Sequence, residues 1–295
     1  MLNYRKQKNF YFRLKNNKLL PMFTLNCKGR LLTIHSPIVM GIINVNNESF
    51  FSGSRHLAEK DILNTAEKML NDGAVILDVG GQSTRPGSRQ VLADEELKRV
   101  VPAIDSIHKH FPAAFISVDT YYSSVAKEAV SAGASIINDI SAGSMDETFI
   151  NTVAGLKVPY VLMHMLGKPA TMYQNPVYDD VVKEVLDFLI QKKAMLKQKG
   201  IQDIIIDPGY GFGKTIQHNF TLLKNQCVFK MLDCPVLLGI SRKSTIFKTL
   251  GTDAGHALNG TTVLNTIGLL NGADILRVHD VKEAVEAVKL VAAIA

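Results

Sequence analysis

Short apolar runs punctuate the chain, and almost every one meets a polar side chain suited to chemistry. IVMGII stops at Asn44, AVILDV carries Asp78, FISV stops at Asp119 and ASII at Asn138. Further on, YVLM stops at His164, III at Asp207 and VLLGI at Ser241 ahead of Lys243, while ILRV carries Arg277 and leads to His279. Each run is rich in Val, Ile and Leu, the signature of strands buried on both faces. Amphipathic stretches long enough for a helix separate them. Eight strand-helix units predict an α/β (β/α)8 TIM barrel, a fold whose active sites lie at the C-terminal ends of the strands. The polar residues then converge on one mouth, as in an enzyme.

Strands are expected near 38–43, 74–79, 114–118, 134–138, 159–163, 203–207, 235–239 and 273–277. Helices are expected over 57–72, 94–110, 122–132, 146–155, 178–199, 217–229, 256–271 and 280–294, with a shorter one from Ser244. Asp94 and Glu95 lead one helix and Asp179 and Asp180 another, acids that suit a helix dipole. Residues 23–36 alternate around Lys28-Gly29 and predict a β-hairpin closing the bottom of the barrel. Long connections follow the first two strands, over 44–56 and 80–93, and another spans 164–177. In a barrel such loops roof the active site.

Charge changes the picture at one end only. Arg5, Lys6, Lys8, Arg13, Lys15 and Lys18 stand in the first twenty residues without an acid, and these six cations account for the whole net charge of +6. The body of the chain is therefore near neutral, which disfavours a nucleic-acid partner. Residues 1–22 are expected to form a basic, disordered extension, with Met22 a second candidate initiator, and 23–295 a single barrel domain. The extension lacks the apolar core of a secretory signal and the Ser/Arg richness of a transit peptide, and no apolar run is long enough to span a membrane, so a cytoplasmic location is expected. Cys27, Cys227 and Cys234 are odd in number and lack metal-type spacing, as in a reducing compartment.

Three motifs carry candidate chemistry. In Asp207-Pro208-Gly209-Tyr210-Gly211-Phe212-Gly213-Lys214, alternating glycines let the backbone approach a ligand, and Asp207 offers an acceptor pair suited to adjacent N–H donors such as those of an amino-pyrimidine ring. The stretch is not a Walker phosphate loop, because Pro208 occupies the place of its opening glycine. Ser241-Arg242-Lys243-Ser244 opens a helix after the seventh strand, where barrels commonly hold anions. Arg277 and His279, two residues apart, share an edge of the eighth strand and with Arg85 make a basic cluster able to hold a diphosphate. Asn44, Asp119 and Asn138 end strands one, three and four, as helix caps or as one polar pocket with Asp207. His164, between two methionines, reads either as a satisfied core histidine or as a ligand contact.

With these residues in view the chain, from about Met22 onward, resembles the dihydropteroate synthase family. The matching pieces are Met40-Gly41-Ile42-Ile43-Asn44-Val45, the run from Asp78 to Gly87 (DVGGQSTRPG), Ser117-Val118-Asp119-Thr120, Ile137-Asn138-Asp139-Ile140, and the three motifs above, the last continuing to Asp280. The resemblance implies condensation of 6-hydroxymethyl-7,8-dihydropterin diphosphate with p-aminobenzoate, giving 7,8-dihydropteroate and diphosphate for folate synthesis, in a homodimer that sulfonamides target. It implies that Asp119, Asn138, Asp207 and Lys243 bind the pterin, and that Asn44, Arg85, Arg277 and His279 hold the diphosphate, with Mg2+ at Asn44. It implies a p-aminobenzoate site at Phe50, Thr84, Pro86, Phe212 and Ser244. Lys243, Asp119 and Arg85 are the expected catalytic groups.

The chemistry agrees with that reading. Diphosphate leaves carrying negative charge, so arginines, an imidazolium and a metal ion lower the barrier. The pterin methylene left behind is cationic and suits a carboxylate such as Asp119, and a neutral arylamine needs no strong base to attack it. One departure concerns the first loop, where the family pattern Asn-Val-Thr-Pro-Asp-Ser-Phe-Ser-Asp-Gly-Gly is replaced by the run from Asn44 to Ser54 (NVNNESFFSGS). Ser52 stands where an acid would pair with Arg85 on loop closure. Two alternatives follow: a non-catalytic or impaired pterin-binding paralogue, which the altered loop suggests, and a pterin-dependent methyltransferase, which would not need the diphosphate-holding cations.

Overall fold

The computed structural model describes residues 23–45, 55–82, 90–169, 172 and 176–294. The hairpin comes first, with β1 (Phe23–Cys27) antiparallel to β2 (Arg30–Ile34) and Cys27 opposite Arg30. Lys28 and Gly29 between them both have positive φ, 56° and 83°, the mirror-image turn that matches the twist of paired strands.

Eight parallel strands follow: β3 (Ile38–Asn44), β4 (Ile76–Gly80), β5 (Phe115–Asp119), β6 (Ile136–Asp139), β7 (Tyr160–Met163), β8 (Ile204–Asp207), β9 (Leu237–Leu238) and β10 (Ile275–Val278). Their order is β8-β7-β6-β5-β4-β3-β10-β9, and a parallel bridge between Ile206 and Val236 joins the two ends. The helices are α1 (Arg55–Asn71), α2 (Ala93–His110), α3 (Ser123–Ala132), α4 (Phe149–Leu156), α5 (Val181–Gln198), α6 (Ile216–Lys224), α7 (Ser244–Thr249), α8 (Leu258–Leu270) and α9 (Val281–Ile294). This is the barrel expected from the apolar runs. No helix among the described residues is long and apolar enough to cross a membrane.

Among the boundaries that differ from expectation, three have a clear local reason. The helix expected over 217–229 ends at Lys224, where the Asn225 side chain takes the Thr221 carbonyl at 2.8 Å, and a 3-10 turn (Gln226–Leu232) continues. The seventh barrel strand shrinks to two residues between Pro235, which has no N–H to pair, and Gly239. The helix expected from 146 begins at Phe149, because Asp146 folds back to accept from the Thr148 and Ser123 N–H groups.

Among the described residues the core has three parts. The largest lies between barrel and helices, a small one gathers around Phe212, and another fills the barrel floor, where Leu25, Cys27, Leu32 and Ile34 of the hairpin meet Met40, Ile76, Ile136, Val161, Ile205, Leu237 and Ile275. Polar clamps fix the stopper: Arg30 donates to the Pro112 and Ala114 carbonyls at 2.9 and 2.7 Å, Lys28 to the Val130 carbonyl at 2.7 Å, and the Asn26 N–H to Asp203 at 2.9 Å.

Candidate active site

At the other end of the strands the register aligns Asn44, Gly80, Asp119 and Asn138 on one rung, with Asp78 level with Ser117 just below. Gly80 admits its neighbour: a Cβ there would lie 3.3 Å from that of Asp119. Arg277, from β10, crosses the barrel to this rung. Its Nε donates to Asp78 Oδ2 at 2.6 Å and its Nη2 to Asp119 Oδ2 at 2.6 Å, while Asn138 Nδ2 donates to the same Asp78 oxygen at 3.0 Å. Burial pushes the Asp119 carboxyl up to about 7 against the pull of Arg277, with Asp78, Glu96 and Asp139 adding to the rise. Burial works against the charge of Arg277, but Asp78 and Asp119 hold it protonated and above the usual arginine range. The second Asp78 oxygen, fully buried, has no partner among the described residues.

The next wall is built by β8 and the loop after it. Asp207 ends the strand, buried, with Oδ1 accepting from the Gly209 N–H at 2.7 Å. Burial raises its pKa, opposed first by Lys243. Gly209, Gly211 and Gly213 all have positive φ, and a Cβ on Gly209 would fall 1.8 Å from the His164 carbonyl oxygen, so no larger residue fits that crossing. Lys243, just ahead of α7, reaches across to donate to the Tyr210 carbonyl at 2.5 Å, its Nζ 4.4 Å over the Phe212 ring. Burial lowers its pKa to about 8, Asp207 opposing. Phe212 is itself buried beside Tyr121, Ile140, Met163 and Met172, an apolar wall beneath the lysine.

His279 stands at the rim, its Nδ1 3.0 Å from Ser241 Oγ. Desolvation, then repulsion by Arg277, lowers its pKa to about 4. With no anion beside it the ring is held neutral chiefly by desolvation, with Arg277, Arg242 and Lys243 adding repulsion. Arg242 is turned away, paired with Asp280 through Nε at 2.9 Å and Nη2 at 2.8 Å. Below the second loop, Gln82 donates to the Val91 carbonyl at 2.7 Å, accepts from its N–H at 3.0 Å, and also bonds Glu96, tying the loop's two ends together.

Of the expected site residues, Asp119, Asn138, Asp207, Lys243, Arg277, His279, Phe212, Ser244 and Asn44 all lie at the C-terminal end of the barrel or in the segments that follow its strands. Phe50, Thr84, Arg85 and Pro86, like Ser52 and the extension over 1–22, lie outside the described residues. Asp119 and Asn138 do not cap helices; both bond across the barrel. Two carboxylates hold Arg277 in place, while His279 stands at the rim beside Ser241. His164 is a core histidine, buried edge-on to Phe188 with ring centroids 4.9 Å apart. Asp78 was missed as a site residue, although a carboxylate inside the run AVILDV was its signal. Among the described residues no group of three or more His, Cys, Asp or Glu side chains could hold a metal.

A family model described as "Pterin binding enzyme" matches residues 40–279. The dihydropteroate synthase of Escherichia coli (strain K12) is 42% identical over 271 residues, covering 91% of this chain and 95% of that one. The structure of Xanthomonas albilineans dihydropteroate synthase with 4-aminobenzoic acid is similar at a TM-score of 0.84 and 39% identity, over 92% of this chain and 97% of that one. The same enzyme in complex with 7,8-dihydropteroate gives a TM-score of 0.81 and 36% identity, over 92% and 98% of the two chains.

Proposed function

This chain belongs to the pterin-binding enzyme family, among its dihydropteroate synthases, and we propose how its barrel mouth performs the condensation. The substrates are 6-hydroxymethyl-7,8-dihydropterin diphosphate and p-aminobenzoate; the products are 7,8-dihydropteroate and diphosphate. The observation that carries the assignment of roles is the Asp78–Arg277–Asp119 chain with Asp207 and Lys243 beside it.

Asp207, Asn138 and Lys243 hold the flat pterin ring, the carboxylate accepting from its N–H groups and the other two donating to its acceptors. Asp119, which titrates near neutrality, places negative charge where the methylene carbon becomes cationic. The C–O bond to the diphosphate breaks with its electron pair leaving on oxygen. The arylamine nitrogen then donates its lone pair to the methylene carbon and releases a proton. Arg277, Arg85 and His279 stabilise the departing anion; the neutral imidazole donates a hydrogen bond, and gains a proton more readily as negative charge collects beside it. Phe50, Thr84, Pro86, Phe212 and the start of α7 at Ser244 form the p-aminobenzoate side.

Asn44 ends β3 with an exposed amide, an oxygen donor of the kind Mg2+ takes in ones and twos alongside phosphate and water. When bound, Mg2+ supplies neutralising charge to the diphosphate. We further read residues 23–295 as one domain. A homodimer is supported by exposed Val263, Ile267 and Leu270 on α8 and Leu290 and Ile294 on α9, helices that pack together. The free thiols Cys27, Cys227 and Cys234 support a cytoplasmic setting.

The test is direct: pure protein with both substrates and Mg2+ should form dihydropteroate. Pterin binding without product would show an impaired paralogue instead. Methyl transfer from a methylated pterin would show the other rival.

A further inference from the structure

Lys214 carries a buried amine that this reaction does not use; burial lowers its pKa to about 7, Asp207 opposing. Only 6% of the residue is exposed, and no described carboxylate forms an ion pair with it. A lysine is rarely buried this deeply without such a partner. What surrounds Nζ instead is a set of backbone and ring acceptors: Gly209 O at 2.9 Å, Phe212 O at 3.1 Å, His164 O at 3.4 Å and His164 Nδ1 at 2.9 Å. Two of these belong to the loop after β8 and two to the residue that follows β7. The amine therefore sits at a crossing of two loops whose backbones touch, as the positions of Gly209 against His164 and of Gly213 against Leu166 require.

The other polar groups of the loop are taken up as well. Tyr178 Oη donates to the Gly213 carbonyl at 2.9 Å, Asn219 Oδ1 accepts from the Gly211 N–H at 2.8 Å, and Asn219 Nδ2 donates to Thr245 Oγ1 at 2.9 Å. What the loop turns toward the barrel mouth is the Tyr210 carbonyl and the Phe212 ring, the two groups that hold Lys243. We propose that Lys214 is a positioning residue: its Nζ, donating to these acceptors, draws the Gly209–Gly213 loop onto His164 and so sets the carbonyl and ring on which Lys243 rests. The proposal rests on the reading of Lys243 as a pterin ligand. It assigns the lysine of a Walker-like ending to the protein's own carbonyls rather than to a phosphate.

Lys214→Met keeps the stem and removes the hydrogen-bond donor. Affinity for a non-reactive pterin analogue, measured by calorimetry, should fall at least tenfold, and kcat should fall with it. Affinity for inorganic diphosphate with Mg2+, bound on the β10 side, should stay within twofold. The decisive readout is the double variant: on a Lys243→Ala background, Lys214→Met should weaken the analogue by less than twofold, because its route to the ligand is gone. A full tenfold loss on that background would show a general structural role and overturn the inference while leaving Lys243 as a ligand. Unchanged analogue affinity in Lys243→Ala alone would overturn both. Should Lys214→Met not fold, the His164 pair decides. His164→Asn keeps an acceptor near the Nδ1 position and should retain most of kcat/KM, whereas His164→Leu should lose it; equal values for the two would refute the proposal.

Discussion

Asp78→Asn tests whether the charge at the centre of the barrel governs the reaction. The amide oxygen can still accept from Arg277 Nε and Asn138 Nδ2, which meet the native oxygen at 2.6 and 3.0 Å, so shape is kept and charge is lost. A hydrogen bond involving a charged group contributes about 1.5–3 kcal/mol and a neutral one about 1. With one charged donor and one amide affected, the loss from charge assistance is roughly 2 kcal/mol. Relief of a buried carboxylate's desolvation acts the other way, so that figure is an upper bound. A urea-denaturation cycle with Arg277→Met isolates the pair; the coupling energy should be about 1–2 kcal/mol. Activity supplies an independent check. Asp78 is among the charges that raise Asp119 to about 7, and Arg277, freed of one carboxylate, pairs more fully with the other. Both changes lower the Asp119 pKa, so the acid limb of kcat/KM should move to lower pH. A coupling energy below about 0.5 kcal/mol together with an unmoved acid limb would show that Asp78 neither anchors Arg277 nor tunes Asp119.

Three further outcomes are expected. Asp207→Asn offers a donor where a second acceptor is needed, so a pterin analogue should bind about 2 kcal/mol more weakly by calorimetry while p-aminobenzoate affinity changes little; equal losses for both ligands would remove Asp207 from the pterin site. The pH profile of kcat/KM should be a narrow bell, rising as Asp119 ionises near 7 and falling as Lys243 loses its proton near 8, the limbs belonging to the coupled cluster. Lys243→Arg should lower the maximum and abolish the alkaline fall; a fall persisting at the same pH would assign it to another group. Ser52→Asp should raise kcat/KM, and more at low salt, by restoring a partner for Arg85 on loop closure; no change at any ionic strength would discard that account.

The strands were legible because burial on both faces leaves an unbroken apolar run, and a polar residue ending such a run has nowhere to point but the mouth. Asp119, Asn138 and Asp207 were found that way, and the hairpin from its alternation about Lys28-Gly29. What the sequence hid were partnerships. Nothing in the order of residues says that Arg277 reaches Asp78, 199 positions away, rather than solvent. Nor does it say that Arg242 turns to Asp280 while its neighbour Lys243 turns inward. The environment of His279 is hidden for the same reason, since the burial and the cations that lower its pKa come together only on closure of the barrel. Resemblance to a known family supplied the substrates, which no periodicity could.

The stopper at the barrel floor has a consequence for how the chain is made. Leu25, Cys27, Leu32 and Ile34 are synthesised ahead of every barrel strand, yet the side chains that house them run as far as Ile275. At about 5–20 residues per second, the hairpin leaves the ribosome tens of seconds before its socket is complete. Its clamps are as distant: Arg30 awaits Pro112 and Ala114, and Asn26 awaits Asp203. The hairpin, ahead of the barrel in sequence, is thus among the last of the described elements to dock, with its apolar face uncovered in the interval. A nascent barrel of this kind is most exposed to aggregation at its N-terminus, and a chain released before its final strand would present the hairpin's greasy side to whatever binds unfolded proteins.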